Sequence, residues 1–307
     1  MRNLEGAPPE RQRSWTKPSK TGRPLTNLTP RTTSADAERA EELPKKADRA
    51  AKPHRRTAPR SSALVGVARV GCSGWVYKHW RGPVYPETLP TRRWFDFYSG
   101  LFNTVEINNS FYRLPAPATV ETWAAQAPPN FVYSLKMGSF GSHRMKLADS
   151  GRWLANHVDR VGRLGAAEGP TLVQLPPHWR KNLGRLEDFL SAAPADKRWA
   201  IEFREPSWLS EDTYEVLRRH RAALCLHDLL PDIPWELTTD WTYVRFHGPD
   251  AVTQPYGRGY SSKALKSYSS RLSKWLAQGI DVYAYFNNDD SGHAVADARR
   301  LARELPQ

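Results

Sequence analysis

Thr104-Val105-Glu106-Ile107-Asn108 decides how the rest of the chain is read. Its apolar and polar residues alternate with period two. Val105 and Ile107 therefore leave one face of a strand, and Glu106 and Asn108 the other. Ile201-Glu202-Phe203-Arg204 repeats the pattern, as does Tyr243-Val244-Arg245-Phe246-His247, where Tyr243, Arg245 and His247 share the polar face. An apolar face suits a layer of helices. A charged face must converge on other charged faces to be tolerated inside a protein.

Eight short runs of this kind occur: Val67–Trp75, Thr104–Asn108, Phe131–Met137, Thr171–Leu175, Trp199–Arg204, Ala223–Asp228, Thr242–Gly248 and Asp281–Asn288. Helical periodicity fills most gaps, at Leu89–Leu101, Ala118–Gln126, Lys146–Leu164, Leu183–Leu190, Ser210–Arg219, Ser261–Ala277 and Ala294–Leu305. Ser210 and Ser261 are placed as helix N-caps. Leu229–Asp240 is broken by proline and reads as a loop, so the sixth helix is missing. Strands alternating with helices imply parallel pairing. Eight units in 67–307 fit the size of an α/β fold of the (β/α)8 TIM-barrel type. The rival doubly wound sheet more usually carries a glycine-rich phosphate turn, and Gly71-Cys72-Ser73-Gly74-Trp75 lacks that spacing.

Residues 1–66 differ in texture. They hold 15 Lys/Arg and 7 Asp/Glu, a balance of +8 within the chain total of +13. Apart from alanine, few apolar residues interrupt a proline-rich, basic composition. Such a segment cannot bury enough surface to offset its ordering entropy, and it is expected to be a disordered tail. The barrel domain is expected over 67–307. No run reaches the ~18 apolar residues of a membrane span, and no signal peptide is recognisable. Cys72 and Cys225 show no ligand or redox spacing. These features point to a cytoplasmic protein with no membrane association.

Active sites in this fold lie at the C-terminal ends of the strands. There the sequence places Glu106, Asn108, Lys136, Gln174, Glu202, Arg204, Arg245, His247, Asn287 and Asn288. A single Glu-Arg pair is more often a structural ion pair than a catalytic one. Five inward charges on four strands are harder to ascribe to packing, because desolvation offsets much of their attraction. Two carboxylates against Lys136, Arg204 and Arg245 leave a neutral to positive mouth. That balance suits a phosphate or carboxylate ligand. No cofactor is expected. A divalent metal would draw on Glu106, Glu202, Asp228 and His247, but the nearby cations oppose it, and it is not favoured. Trp75, Trp80, Trp179, Trp208 and Trp235 follow strands and together predict a stacking surface for a base or sugar ring. Any one of them serves equally well as cover for the barrel end. His143 reads either as a site residue or as an exposed histidine, and Asp228 either as a ligand group or as a turn cap. Strands two and five are too far apart for a retaining glycosidase pair.

These motifs carry a resemblance. From about Val67 to Leu305 the chain resembles the YecE-like family, a TIM-barrel family defined as a domain of unknown function. The matching stretches are Gly71–Trp75 with Tyr77, His79 and Trp80; Val105–Asn108 with Phe111-Tyr112; Lys136 with His143; Gln174-Leu175-Pro176-Pro177; Glu202-Phe203-Arg204 with Ser207-Trp208; Arg245-Phe246-His247-Gly248; and Phe286-Asn287-Asn288. Ser142, Cys72 and Asp297 depart from the family's usual Thr, Thr and Asn. The resemblance implies the barrel and no particular reaction.

The leading expectation is an enzyme, a hydrolase or isomerase, acting on a phosphate-bearing, ring-containing substrate such as a nucleotide, a nucleic-acid end or a sugar phosphate. Arg204, Arg245 and Lys136 hold the anion, Glu106 or Glu202 serves as general base, and His247 as acid or orienter. The alternatives are a non-enzymatic nucleic-acid binder that uses the basic tail, and a metal-dependent hydrolase.

Overall fold

The computed structural model describes residues 65–306. The expected tail therefore lies outside the described residues except for Val65 and Gly66, and the Gly66 N–H already bonds to Leu276 O at 2.8 Å. Eight parallel strands form one nearly closed barrel: β1 (Ala68–Cys72), β2 (Thr104–Ile107), β3 (Val132–Lys136), β4 (Glu168–Gln174), β5 (Trp199–Glu202), β6 (Ala223–His227), β7 (Trp241–Phe246) and β8 (Asp281–Phe286). The helices are α1 (Trp94–Ser99), α2 (Pro117–Gln126), α3 (Ser150–Gly162), α4 (Leu183–Ala192), α5 (Glu211–Arg219), α6 (Ser262–Leu276) and α7 (His293–Glu304). None among the described residues is long and apolar enough to cross a membrane.

Local chemistry accounts for most boundaries. Pro117 opens α2, where its missing N–H costs nothing. Ser261 caps α6 by accepting the Ala264 N–H at 3.2 Å. Ser210 does not cap α5 as expected: its hydroxyl turns to Asp212, whose carboxylate takes the Thr213 N–H at 2.9 Å instead. The first helix is shorter than its periodicity predicts, because Pro90 and the turn Thr91–Arg93 consume its N-terminal half. No helix separates β6 from β7. In its place Trp235 packs on Tyr268 and Trp275 of α6, with ring centroids 5.9 and 6.0 Å apart.

The two faces of the sheet bury different material. Val105, Ile107, Ile201, Val244 and Phe246 join the large core beneath the helices. Leu172, Ala200, Cys225, Trp241, Tyr243 and Tyr285 pack inside the barrel as a second core. Above that plug the inward positions become charged, with Glu106 on β2, Glu202 on β5 and Arg245 on β7 all buried. The apolar plug lies beneath the charged layer, and the cavity that Arg245 lines opens on the side of the C-terminal strand ends.

The β1–β2 seam is built differently from the rest. The hydrogen-bonded ladder runs β1-β8-β7-β6-β5-β4-β3-β2 and does not continue from β2 to β1. The Tyr98 hydroxyl of α1 closes the gap, accepting the Cys72 N–H at 2.8 Å and donating to Thr104 O at 3.0 Å. Gly71 makes the approach possible. A Cβ there would lie 2.3 Å from Thr104 O, closer than any side chain allows.

Candidate functional site

Arg245 occupies the centre of the mouth, only 1% exposed. Its register on β7, opposite Tyr285 on β8 and His227 on β6, aims it across the axis toward β2 and β5. Its Nε and Nη2 donate to the two Glu106 oxygens at 2.9 Å, and its Nη1 donates to Glu202 Oε2 at 2.7 Å. Glu106 also accepts from Ser73 Oγ at 2.6 Å and from the Tyr243 hydroxyl at 2.7 Å. Glu202 takes a second cation, the Nε of Arg204. Burial alone would raise the Glu106 pKa, but Arg245, Ser73 and Tyr243 outweigh it and hold the carboxyl below its ordinary range. For Glu202 burial is likewise overcome, chiefly by Arg204 and Arg245. Glu106 is thus saturated with donors, Glu202 is held by two guanidinium groups and the Cys225 thiol, and both are acidic. The expected role of general base does not suit them, because a base needs a pKa near the working pH.

Above this floor opens a cavity of about 440 Å³. Of the residues expected from sequence, Asn108, Lys136, Gln174, Arg204, Arg245 and Asn287 line it together. Phe111, Tyr112, Tyr256 and Asp289 complete the wall and were not singled out as site residues. Phe111 and Tyr112 follow Asn108 directly, and Asp289 follows Asn288, so proximity to strand ends is a usable signal for them. Tyr256 lies in a long loop after β7 and carries no such signal. Asp289 adds a carboxylate to a set otherwise of net +1, and burial raises its pKa.

Lys136 reaches the same space from the end of β3. Its Nζ donates to Gln174 Oε1 and lies 4.5 Å from the centroid of the Phe111 ring. Burial, then the charge of Arg245, lowers its pKa to about 8 against the partial opposition of Glu202 and Glu106. Hydrogen bonding engages only the Nε of Arg204, so its two terminal nitrogens meet no acceptor among the described residues.

A second hollow of about 400 Å³ adjoins the first and shares Asn108 and Tyr112 with it. Trp75, Tyr77 and Trp123 give it an apolar wall. Tyr112 is 84% exposed at the junction, and the buried Oδ1 of Asn108 has no hydrogen-bond partner. Another cavity, of about 610 Å³, lies at the opposite end of the barrel. It is lined by apolar and backbone groups such as Ala68, Leu101, Phe102 and Pro129, with no charged residue. It offers no chemistry comparable to that of the mouth.

Other expected residues lie elsewhere. His247 is fully buried, with Nδ1 on Asp228 at 2.9 Å; burial holds its pKa down at about 4, so it is neutral near pH 7. Asp228 also takes the His247 N–H at 2.9 Å and the Tyr260 hydroxyl, which anchors the loop after β7. Asn288 turns away from the cavity and donates to Arg258 O at 2.8 Å and to Asp297 Oδ2 at 2.9 Å. His143 sits in a separate surface hollow with Phe140 and Arg144, its ring edge-on to Phe111 at 4.8 Å. The expected five-tryptophan stacking surface does not form. Trp80 is buried with its indole N–H on Asp289 O, and Trp208 is buried flat against Phe203. Trp179 packs edge-on to Trp208, and Trp235 lies on α6. Only Trp75 borders a hollow beside the mouth. Strand-following position alone did not separate these cases, because a wide indole is as useful for plugging a barrel end as for stacking on a ligand.

The donors a divalent ion would use are not gathered. Among the described residues no three His, Cys, Asp or Glu side chains form a metal-binding group. The two carboxylates nearest the axis already hold guanidinium groups.

Similar proteins share this framework. The UPF0759 protein YunF of Bacillus subtilis is 25% identical over 268 residues, covering 77% of this chain and 94% of its own. The UPF0759 protein YecE of Escherichia coli K12 is 28% identical over 235 residues, covering 68% and 82%. The crystal structure of a Thermotoga maritima DUF72 family protein superposes with a TM-score of 0.69 at 26% identity, over 77% of this chain and 98% of that one. An Enterococcus faecalis DUF72 structure, at 17% identity and a TM-score of 0.64, shares the fold. The family model for DUF72, proteins of unknown function, matches residues 69–307, and the chain belongs to that family.

Proposed function

We propose that the barrel mouth binds a phosphate ester attached to a ring, and that the protein is an enzyme acting on it. One observation carries this reading: Lys136 and Arg204, whose terminal nitrogens meet no acceptor among the described residues, line one cavity, and an apolar hollow adjoins it at Asn108 and Tyr112. A phosphate fits the first space, since a guanidinium presents paired donors to tetrahedral oxyanions. A sugar or base fits the second, against Trp75, Tyr77 and the exposed Tyr112.

Arg245 takes a different part from the one its charge first implies. Its hydrogen bonds are spent on Glu106 and Glu202, so it neutralises charge in the floor and holds both carboxylates in place. Lys136, with a pKa of about 8, is the group able to exchange a proton near neutral pH. We place the protein in the reducing cytoplasm, which suits the free and buried Cys72 and Cys225.

Calorimetric titration with adenosine 5′-monophosphate, ribose 5-phosphate and adenosine tests the proposal. Both phosphates should bind and adenosine should not. Arg204→Ala should weaken the phosphates by about 1.5–3 kcal/mol, the usual worth of a hydrogen bond to a charged group. Equal affinity for adenosine and its monophosphate, or an unchanged Arg204→Ala variant, refutes it.

A further inference from the structure

We infer that Lys136 forms an imine with its ligand, and that the ligand is a phosphate ester bearing an aldehyde or ketone. The inference rests on the phosphate-binding reading above and narrows it to one class of substrate.

The charged residues of the mouth are not equivalent. Arg245 is paired with Glu106 and Glu202, and Arg204 with Glu202. Among the described residues no carboxylate lies within ion-pair distance of Lys136. Its one hydrogen-bond partner is neutral, the side-chain oxygen of Gln174, and its other neighbour is the face of Phe111. The charged and titratable groups around it are Arg204, Arg245, Glu202, Glu106 and His143. An amine that is partly buried, beside guanidinium groups and without its own counter-ion, is in the setting that makes lysine nucleophilic. With a pKa of about 8, roughly a quarter of it is free base at pH 7.5, against roughly one part in a thousand for an exposed lysine.

The amine is also in position. Lys136 and Arg204 line the same cavity, so a ligand whose phosphate sits on the Arg204 terminal nitrogens can present a carbonyl carbon to Nζ. The neutral Nζ adds its lone pair to that carbon, and the carbonyl π pair moves to oxygen, which takes a proton. The carbinolamine then loses water as the nitrogen lone pair forms the C=N bond. The net change is amine plus carbonyl to imine plus water, with no change in oxidation state.

Pyridoxal 5′-phosphate joins a phosphate, a ring and an aldehyde in one probe. The full chain is incubated with it, reduced with cyanoborohydride, and mapped by peptide mass. Lys136 should be labelled at least tenfold faster than the exposed Lys263, Lys266 and Lys274, with half-maximal rate near pH 8. Inorganic phosphate should suppress the labelling, pyridoxal should label Lys136 at least tenfold more slowly than pyridoxal 5′-phosphate does, and Lys136→Arg should abolish the selective adduct. The wild-type labelling pattern decides the matter even if the variant misfolds. Labelling of Lys136 at the rate of the exposed lysines overturns the inference. If phosphate esters still bind in calorimetry, the phosphate-binding reading survives that failure; if they do not, both fall.

Discussion

Replacing Arg245 with Met removes the guanidinium and keeps most of the side-chain volume. In the wild type that group makes three close hydrogen bonds, two to Glu106 at 2.9 Å and one to Glu202 at 2.7 Å, all out of contact with water. Removing it leaves two buried carboxylates under-paired, Glu106 with only hydroxyl donors and Glu202 with Arg204 and the Cys225 thiol. Breaking a buried pair from one side costs about 3–5 kcal/mol. The pH dependence is the sharper test. In the wild type the folded-state pKa values of Glu106 and Glu202 are depressed, so their contribution is complete above the unfolded value of about 4.5 and is lost as pH falls below it. Between pH 5 and 8 they add no slope. In Arg245→Met, Glu106 keeps no cation, so burial raises its folded-state pKa above the unfolded one, whereas Glu202 is still held down by Arg204. The contribution of Glu106 is then greatest at low pH and falls as pH rises, by up to about 1.4 kcal/mol per unit. Arg245 also lowers the pKa of His247, so the His247 slope differs between the two proteins below about pH 6.5, and the carboxylate effect is read between pH 7 and 8. Urea denaturation of both proteins at pH 5, 6, 7 and 8, followed by circular dichroism, measures that difference directly. A loss of the same size at pH 7 and pH 8, or under 1 kcal/mol at pH 8, refutes the account of a floor held together by Arg245.

The seam between β1 and β2 yields two further predictions. Gly71→Ala drives a Cβ into Thr104 O and should cost about 3 kcal/mol or more, read as a lowered urea midpoint. An unchanged midpoint would show that the strands can part there. Tyr98→Phe leaves the Cys72 N–H without its acceptor and should cost about 1–3 kcal/mol, with faster amide hydrogen exchange at Cys72 and Gly71. Exchange unchanged at those two amides would mean that another group closes the seam.

Much of the fold is legible from the chain because strand parity is local. The alternation in Thr104–Asn108 commits Val105 and Ile107 to the helix layer whatever else the protein does, and the same holds for Val244 and Phe246. The charged members of those strands are forced inward by the same rule. Partner choice is not local. Arg245 meets Glu106 across 139 residues and Glu202 across 43, and only the closure of the barrel decides which carboxylate each guanidinium reaches. The tryptophans show the same limit. Trp75 and Trp80 both follow β1 in sequence, yet one borders a hollow and the other is buried against Asp289.

The sequence by itself therefore determined the eight-unit barrel and the inward charges at the C-terminal ends of its strands, because side-chain direction is a property of neighbouring residues. Tertiary structure alone decided that Arg245 is spent on holding two carboxylates, that His247 and Asp228 brace a loop, and that Lys136 and Arg204 line one cavity. Those outcomes depend on how strands far apart in the chain are rotated and staggered against each other when the sheet closes.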